Sequence, residues 1–201
     1  MSVLVGRAAP DFTVPAVAAD GTIIDKFNLH DYIKGKYAIV FFYPLDFTFV
    51  CPSELIALHH RIKEFQQRGV EVIAVSIDSH FTHNAYRNTP IDKGGIGQVS
   101  YPMVADMSHA ICQSYGIEHP AAGIALRAAF VIDKAGIVRS QIVNDLPIGR
   151  NVDELIRIVD AVQFHEEHGE VCPAGWTKGQ AGMKASPEGV AAYLASNADK
   201  L

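Results

Sequence analysis

The chain has 201 residues, 49% hydrophobic and 19% charged, with a formal net charge of −5 and a pI near 6.0. That length predicts one domain, with room for an extension, and the acidic balance argues against nucleic acid or an anionic membrane surface as partners. The longest apolar run falls well short of the roughly 20 residues a membrane-spanning helix needs, and residues 1–9 do not read as a secretory leader, so the expected setting is cytoplasmic. Three cysteines, Cys51, Cys112 and Cys172, are too few and too odd in number for a secreted disulfide framework, and are expected to act through chemistry or burial.

In chain order, residues 11–14 and 22–24 flank an Ala-Ala-Asp-Gly turn and predict a short hairpin. Tyr37 to Tyr43 is continuously apolar and predicts a central strand buried on both faces. Leu55, Leu58, Ile62 and Phe65 share one face of a helix that Gly69 stops, and Val70 to Ile77 predicts the next strand. Residues 90–100, rich in Gly and polar residues, read as a loop. Cys112, in the helical segment 110–115, reads as a buried apolar residue. Ala129 to Ile132 and Ile137 to Val143 flank an Asp-Lys-Ala-Gly turn as a second hairpin, followed by an amphipathic helix over 153–164 with Leu155, Ile156, Val159 and Val162 on one side. A β-α-β half followed by a β-β-α half is the element order of a thioredoxin-like α/β fold. From Cys172 onward Gly, Pro, Ala and Lys dominate, with one short helix candidate at 187–194. The division expected is a thioredoxin-like domain over 1–164 and a C-terminal arm over 165–201 that carries Cys172.

Cys51 carries the chemistry. It follows Pro44-Leu45-Asp46-Phe47-Thr48-Phe49-Val50, with Pro52 after it. Proline is favoured at the first helical position, so Cys51 is expected at a helix start, facing unpaired backbone N–H groups and the positive end of the helix dipole. Both favour the thiolate, which is the nucleophile.

Pro44-x-x-x-Thr48-x-x-Cys51 resembles the signature of the peroxiredoxins. The resemblance extends over nearly the whole chain, through Ala9-Pro10-Asp11-Phe12, Val75-Ser76-Ile77-Asp78-Ser79, Asn144-Asp145-Leu146-Pro147 and His168-Gly169-Glu170-Val171-Cys172-Pro173-Ala174-Gly175-Trp176. It is to the typical two-cysteine branch, which includes the peroxidase component of bacterial alkyl hydroperoxide reductase. It implies a peroxidase acting on hydrogen peroxide and small organic hydroperoxides, with Cys51 as nucleophile and Cys172 as the thiol that resolves its sulfenic acid. It implies no prosthetic group, with electrons from thioredoxin or a dedicated flavoprotein disulfide reductase. It also implies a homodimer bridged by the disulfide and assembled into a decamer, which Phe81 would help to pack. The residues alone leave an intrachain and an interchain bridge equally open.

The family chemistry explains these residue types. A thiol of pKa about 8.5 is only about 3% thiolate at pH 7, and a pKa of roughly 6 gives about 90%, a ~30-fold gain. Lower basicity then costs about tenfold in nucleophilicity at a Brønsted slope of ~0.45, leaving ~3-fold. Most of the acceleration must come from donors aimed at the oxygens in the transition state, each typically worth ~3 kcal/mol. The resemblance assigns that work to the Thr48 hydroxyl, the Cys51 N–H and Arg127. It has Pro44 shielding the site and Glu54, one turn into the helix, orienting Arg127.

Two departures from the family pattern stand out. Gly94-Gly95-Ile96-Gly97 keeps the character of the Gly-Gly-Leu-Gly loop of members that over-oxidise easily, but their C-terminal Tyr-Phe pair is Tyr193-Leu194 here. The smaller leucine predicts intermediate sensitivity to over-oxidation. Ala128 stands where members often have glycine.

Other signals are declined. His165 and His168 are three apart, the wrong spacing for a zincin motif, His80-Phe81-Thr82-His83 and His59-His60 lack partner ligands, and the histidines are expected to be solvated, with no metal site. No Gly-x-Gly-x-x-Gly follows a strand, and no Cys-x-x-Cys is present. The rival readings are a ring-shaped holdase chaperone or redox-signalling relay, and a one-cysteine peroxidase.

Overall fold

In the computed structural model, which describes residues 3–200, the N-terminal hairpin forms from longer strands than the pattern predicted, β1 (Thr13–Val17) and β2 (Ile23–Asn28). The register shifts between Val14 and Ala16, at Pro15, which has no N–H for a regular ladder. The short helix α1 (Leu29–Tyr32) follows, with the Asn28 side chain accepting from the Asp31 N–H at 2.8 Å.

Strand β3 (Tyr37–Phe42) is buried at every residue, as its unbroken apolar run requires. The helix starts at Cys51, as Pro52 predicted, but is split into α2 (Cys51–His60) and α3 (Ile62–Gln67). At the break, the Arg61 N–H is shared between the carbonyls of Ala57 and Leu58. The apolar face runs across the break, with Leu55, Leu58 and Phe65 fully buried and Ile62 nearly so. Gly69, at φ +67°, ends α3 in the left-handed conformation open to glycine, and β4 (Val70–Ser76) pairs parallel with β3.

Besides α1, a helix and a strand in the middle of the chain were not foreseen. Helix α4 (His80–Asn88) is capped by the Ser79 side chain, which accepts from the Thr82 N–H. Strand β5 (Met103–Ala105) is three residues long, too short to show a period, and joins β4 in parallel and β1 in antiparallel. Cys112 is fully buried in α5 (Ala110–Ser114). Strands β6 (Arg127–Ile132) and β7 (Val138–Asn144) complete one sheet of order β2-β1-β5-β4-β3-β6-β7. The β-α-β and β-β-α halves make this a thioredoxin-like fold with an added N-terminal hairpin. Strand β3 lies between parallel β4 and antiparallel β6, and the pair Phe42↔Ala128 brings Arg127 alongside the end of β3.

The chain divides into two compact units between Val152 and Asp153. Helix α6 (Val152–His168) leads into the second and buries Leu155, Ile156 and Val159, with Val162 half-buried. Within that unit a bridge joins Val171 to Met183, and the Trp176 ring lies 4.8 Å from that of Phe164. Helix α7 (Pro187–Asn197) is capped by the Ser186 side chain and runs further than its predicted end at residue 194. Among the described residues no helix is long and apolar enough to cross a membrane.

Candidate active site

Cys51 is the first residue of α2 and is fully buried, and no side chain caps the helix there. The loop from β3 to α2 sets the sulfur's surroundings. Pro44 is buried, and Thr48 Oγ1 lies 3.0 Å from Cys51 Sγ and 2.8 Å from the Leu45 carbonyl oxygen. A hydroxyl has one proton to give. With a thiolate present it donates to sulfur; with a thiol, the S–H donates to Oγ1 and the hydroxyl turns to Leu45. Thr48 therefore suits either state of Cys51 without moving.

The second donor comes from the sheet. Arg127 Nη1 is 3.4 Å from Cys51 Sγ and 2.8 Å from Glu54 Oε2, while Nε donates to the Leu146 carbonyl at 2.5 Å. Pro44, Thr48, Cys51, Glu54 and Arg127 are thus brought together at the end of β3. A cleft of about 530 Å³ opens there, lined by Pro44, Thr48, Phe49, Arg127, Leu146 and Pro147, mostly apolar with two polar groups facing in.

Arg150 was not foreseen. It donates to Glu54 Oε1 from its backbone N–H at 2.7 Å and from Nε at 2.9 Å, to Oε2 from Nη2 at 3.0 Å, and to the Ala128 carbonyl from Nη1 at 2.5 Å. Its guanidinium carbon lies 3.3 Å from the Phe41 ring centre, a cation–π contact. One signal was available in the sequence: a cation just before the start of α6 opposes that helix's dipole, so Arg150 needed an anion elsewhere. Gly149 fits the same packing, since a Cβ there would lie 3.3 Å from Val50 Cγ1.

Burial pushes the Glu54 carboxyl up, but the hydrogen bonds and charge of Arg150, with Arg127 adding to them, hold it below the usual range. Burial lowers Arg150, and Glu54 acts against that. Two guanidiniums and one carboxylate leave one net positive charge beside the sulfur, which a Cys51 thiolate neutralises. The arrangement places two donors on the Cys51 sulfur, and both donor residues also line the apolar cleft.

Cys172 lies in the second unit, half-buried, with Sγ 3.5 Å from the Ala161 carbonyl oxygen. Burial raises its pKa and the Arg157 guanidinium acts against that. All three cysteines are free thiols.

The histidine expectation needs correcting at His83. His60, His165 and His168 are exposed, but His83 is fully buried, its Nδ1 2.7 Å from Asp46 Oδ2. One cluster, His109, Cys112 and Glu118, brings metal-ligating atoms within 4.8 Å of one another. Its atoms already satisfy each other, with His109 Nδ1 on Glu118 Oε1 at 2.7 Å and Cys112 Sγ on the His109 carbonyl oxygen at 3.2 Å.

The signature of the AhpC/TSA family matches residues 5–141. The chain belongs to this family of peroxiredoxins. Residues 161–196 match the C-terminal domain of 1-Cys peroxiredoxin. This peroxiredoxin is 54% identical over 198 residues to alkyl hydroperoxide reductase C of Helicobacter pylori, spanning 98% of the chain and 100% of that relative. It is 47% identical over 193 residues to peroxiredoxin-2 of Mus musculus, spanning 96% of each. Among solved structures, a reduced 2-Cys peroxiredoxin of Plasmodium vivax superposes with a TM-score of 0.93 at 46% identity, spanning 96% of this chain and 100% of that one. This peroxiredoxin is a thiol-dependent peroxidase.

Proposed function

We propose that Cys51 is the peroxide-attacking thiolate and Cys172 the thiol that resolves it. The observation that carries this reading is the convergence of Thr48 and Arg127 on Cys51 Sγ. The thiolate attacks one peroxide oxygen, the O–O bond breaks, and the other oxygen leaves with the bonding pair and takes up a proton as water or an alcohol. Arg127 and Thr48 donate to the two oxygens as charge moves onto the leaving one. Pro44 keeps bulk water from the sulfur, and Glu54, itself held by Arg150, fixes the Arg127 guanidinium.

The product is a Cys51 sulfenic acid, which the Cys172 thiol converts to a disulfide with release of water. Two electrons from thioredoxin or a flavoprotein disulfide reductase then restore both thiols. Hydrogen peroxide and small organic hydroperoxides are the substrates, consistent with a small, largely apolar cleft. The functional division is a peroxidase domain over 1–164 and an arm over 165–201. The disulfide joins two chains of a homodimer, and five dimers form a ring in the cytoplasm. Phe81, two-thirds exposed with its ring 4.1 Å from that of His80, supports an assembly surface.

One equivalent of hydrogen peroxide added to reduced protein tests this, read by non-reducing electrophoresis and peptide mapping. The expected product is a species of twice the chain mass with a Cys51–Cys172 linkage. Peroxide consumed without that linkage removes Cys172 from the cycle.

A further inference from the structure

Between Pro44 and Thr48 the loop turns through Asp46 and Phe47. Phe47 is held at φ +53°, and its ring packs 4.5 Å from that of Tyr86. A bulky residue in this region needs its surroundings to hold it there, and Asp46 supplies much of the hold. Asp46 Oδ1 accepts from the Tyr43 hydroxyl at 2.7 Å, and Oδ2 lies 2.7 Å from His83 Nδ1. The Asp46 N–H donates to Asp78 Oδ2 at 2.9 Å, an oxygen that also accepts from Ser76 Oγ at 2.7 Å.

His83 Nε2 lies 3.1 Å from the Val104 carbonyl oxygen. The His83 ring thus bridges the Asp46 carboxyl on one side and the Val104 carbonyl oxygen on the other. Burial and the Asp46 carboxylate push the Tyr43 phenol up, so it remains a donor. Tyr43 and His83 are fully buried and Asp46 nearly so. Tyr43 follows β3, His83 lies in α4 and Asp78 follows β4, so the loop that carries Thr48 is tied to three separate elements.

We propose that Asp46, His83 and Tyr43 form a buried relay of positioning residues that sets the Thr48 hydroxyl on Cys51 Sγ. This rests on the reading of Cys51 as the peroxide-attacking thiol. The relay touches neither the sulfur nor the peroxide; it acts through Thr48. It therefore governs the reaction that needs the hydroxyl, peroxide reduction. Alkylation by iodoacetamide has no leaving oxygen for the hydroxyl to meet, and it feels the hydroxyl only through the thiolate, where gain in thiolate fraction and loss of nucleophilicity largely offset each other.

The test compares second-order rate constants at Cys51 for hydrogen peroxide and for iodoacetamide in the full chain and in Asp46→Asn, His83→Gln and Tyr43→Phe. The expected result is a fall of about 10- to 100-fold in the peroxide constant for Asp46→Asn and His83→Gln and of several-fold for Tyr43→Phe, as donor displacement predicts. The iodoacetamide constant stays within about twofold. In a Thr48→Val background, Asp46→Asn should lower the peroxide constant no further, because the group it positions is gone.

Tyr43→Phe removes one hydroxyl and keeps the ring, so it carries the test if the other variants fail to fold. Peroxide and iodoacetamide constants that fall together, or an undiminished effect in the Thr48→Val background, overturn the relay. So does an unchanged peroxide constant in folded variants. If unaltered protein shows no peroxide reaction at Cys51, the reading of the site itself fails, a different result.

Discussion

Replacing Glu54 with glutamine is predicted to destabilise the protein far more than an isosteric change usually does. Four donors end on its two oxygens, Arg127 Nη1 and Arg150 N, Nε and Nη2. Glutamine keeps the volume but turns an NH₂ group toward a guanidinium and removes the anion between two cations. The Arg127 and Arg150 side chains are 5% and 1% exposed, so water does little to replace it. Breaking a buried ion pair from one side costs about 3–5 kcal/mol. At this chain length each kcal/mol shifts Tm by about 2–4 °C, so Tm should fall by roughly 6–20 °C. The assay is thermal unfolding of reduced protein at pH 7 and fixed protein concentration, because assembly would otherwise move Tm by mass action. A loss below about 1 kcal/mol, the range of exposed pairs, would refute the assignment of Glu54 as counterion of both arginines.

Thr48→Val should slow peroxide reduction about 100-fold, the usual worth of one transition-state donor, whereas Thr48→Ser retains most of the rate; stopped-flow peroxide consumption reads both. Acid should erode the Glu54 contribution. Its folded pKa lies below the ordinary 4.5, so the stabilisation is whole above that value and lost as pH falls through the folded pKa. The gap in stability between the unaltered protein and Glu54→Gln, measured by urea unfolding, should accordingly narrow from pH 5 to pH 3. Burial, with the Asp106 carboxylate adding to it, pushes the Cys112 thiol up to about 12. Iodoacetamide at pH 8 should leave Cys112 unlabelled until urea is added, and labelling at the rate of Cys172 would contradict that. Excess peroxide should convert part of Cys51 to sulfinic acid by mass spectrometry, and none at large excess would sink the inference from Tyr193-Leu194.

What could be read from the sequence follows from where the information resides. β3 announces itself because a strand buried on both faces must be apolar throughout, and the 55–65 face because its contacts repeat at helical spacing. Strand β5 was hidden because three residues cannot show a period, and α4 because its first residues, His-Phe-Thr-His, are mixed in character with a cap only at Ser79. Pro44, Thr48 and Cys51 lie within eight positions, so one motif exposed them. Arg127 reaches the sulfur through the antiparallel register of β6 on β3, which a linear reading can expect only through family likeness. Arg150 meets Glu54 over 96 positions and His83 meets Asp46 over 37, pairings set by tertiary packing that leaves little local trace.

On the proposed reading of the site, donors more than thiolate fraction set the rate at which Cys51 reduces peroxide. The most direct test of that claim is the pair of second-order rate constants at Cys51 for hydrogen peroxide and iodoacetamide, each divided by that of an ordinary small thiol at pH 7. Alkylation is predicted to stay close to that of the ordinary thiol, because any gain in thiolate is offset by lost nucleophilicity. The peroxide constant should exceed it by about 10⁴-fold or more, as two donors of ~3 kcal/mol each require. Equal enhancement of both reactions, or none in either, would contradict it.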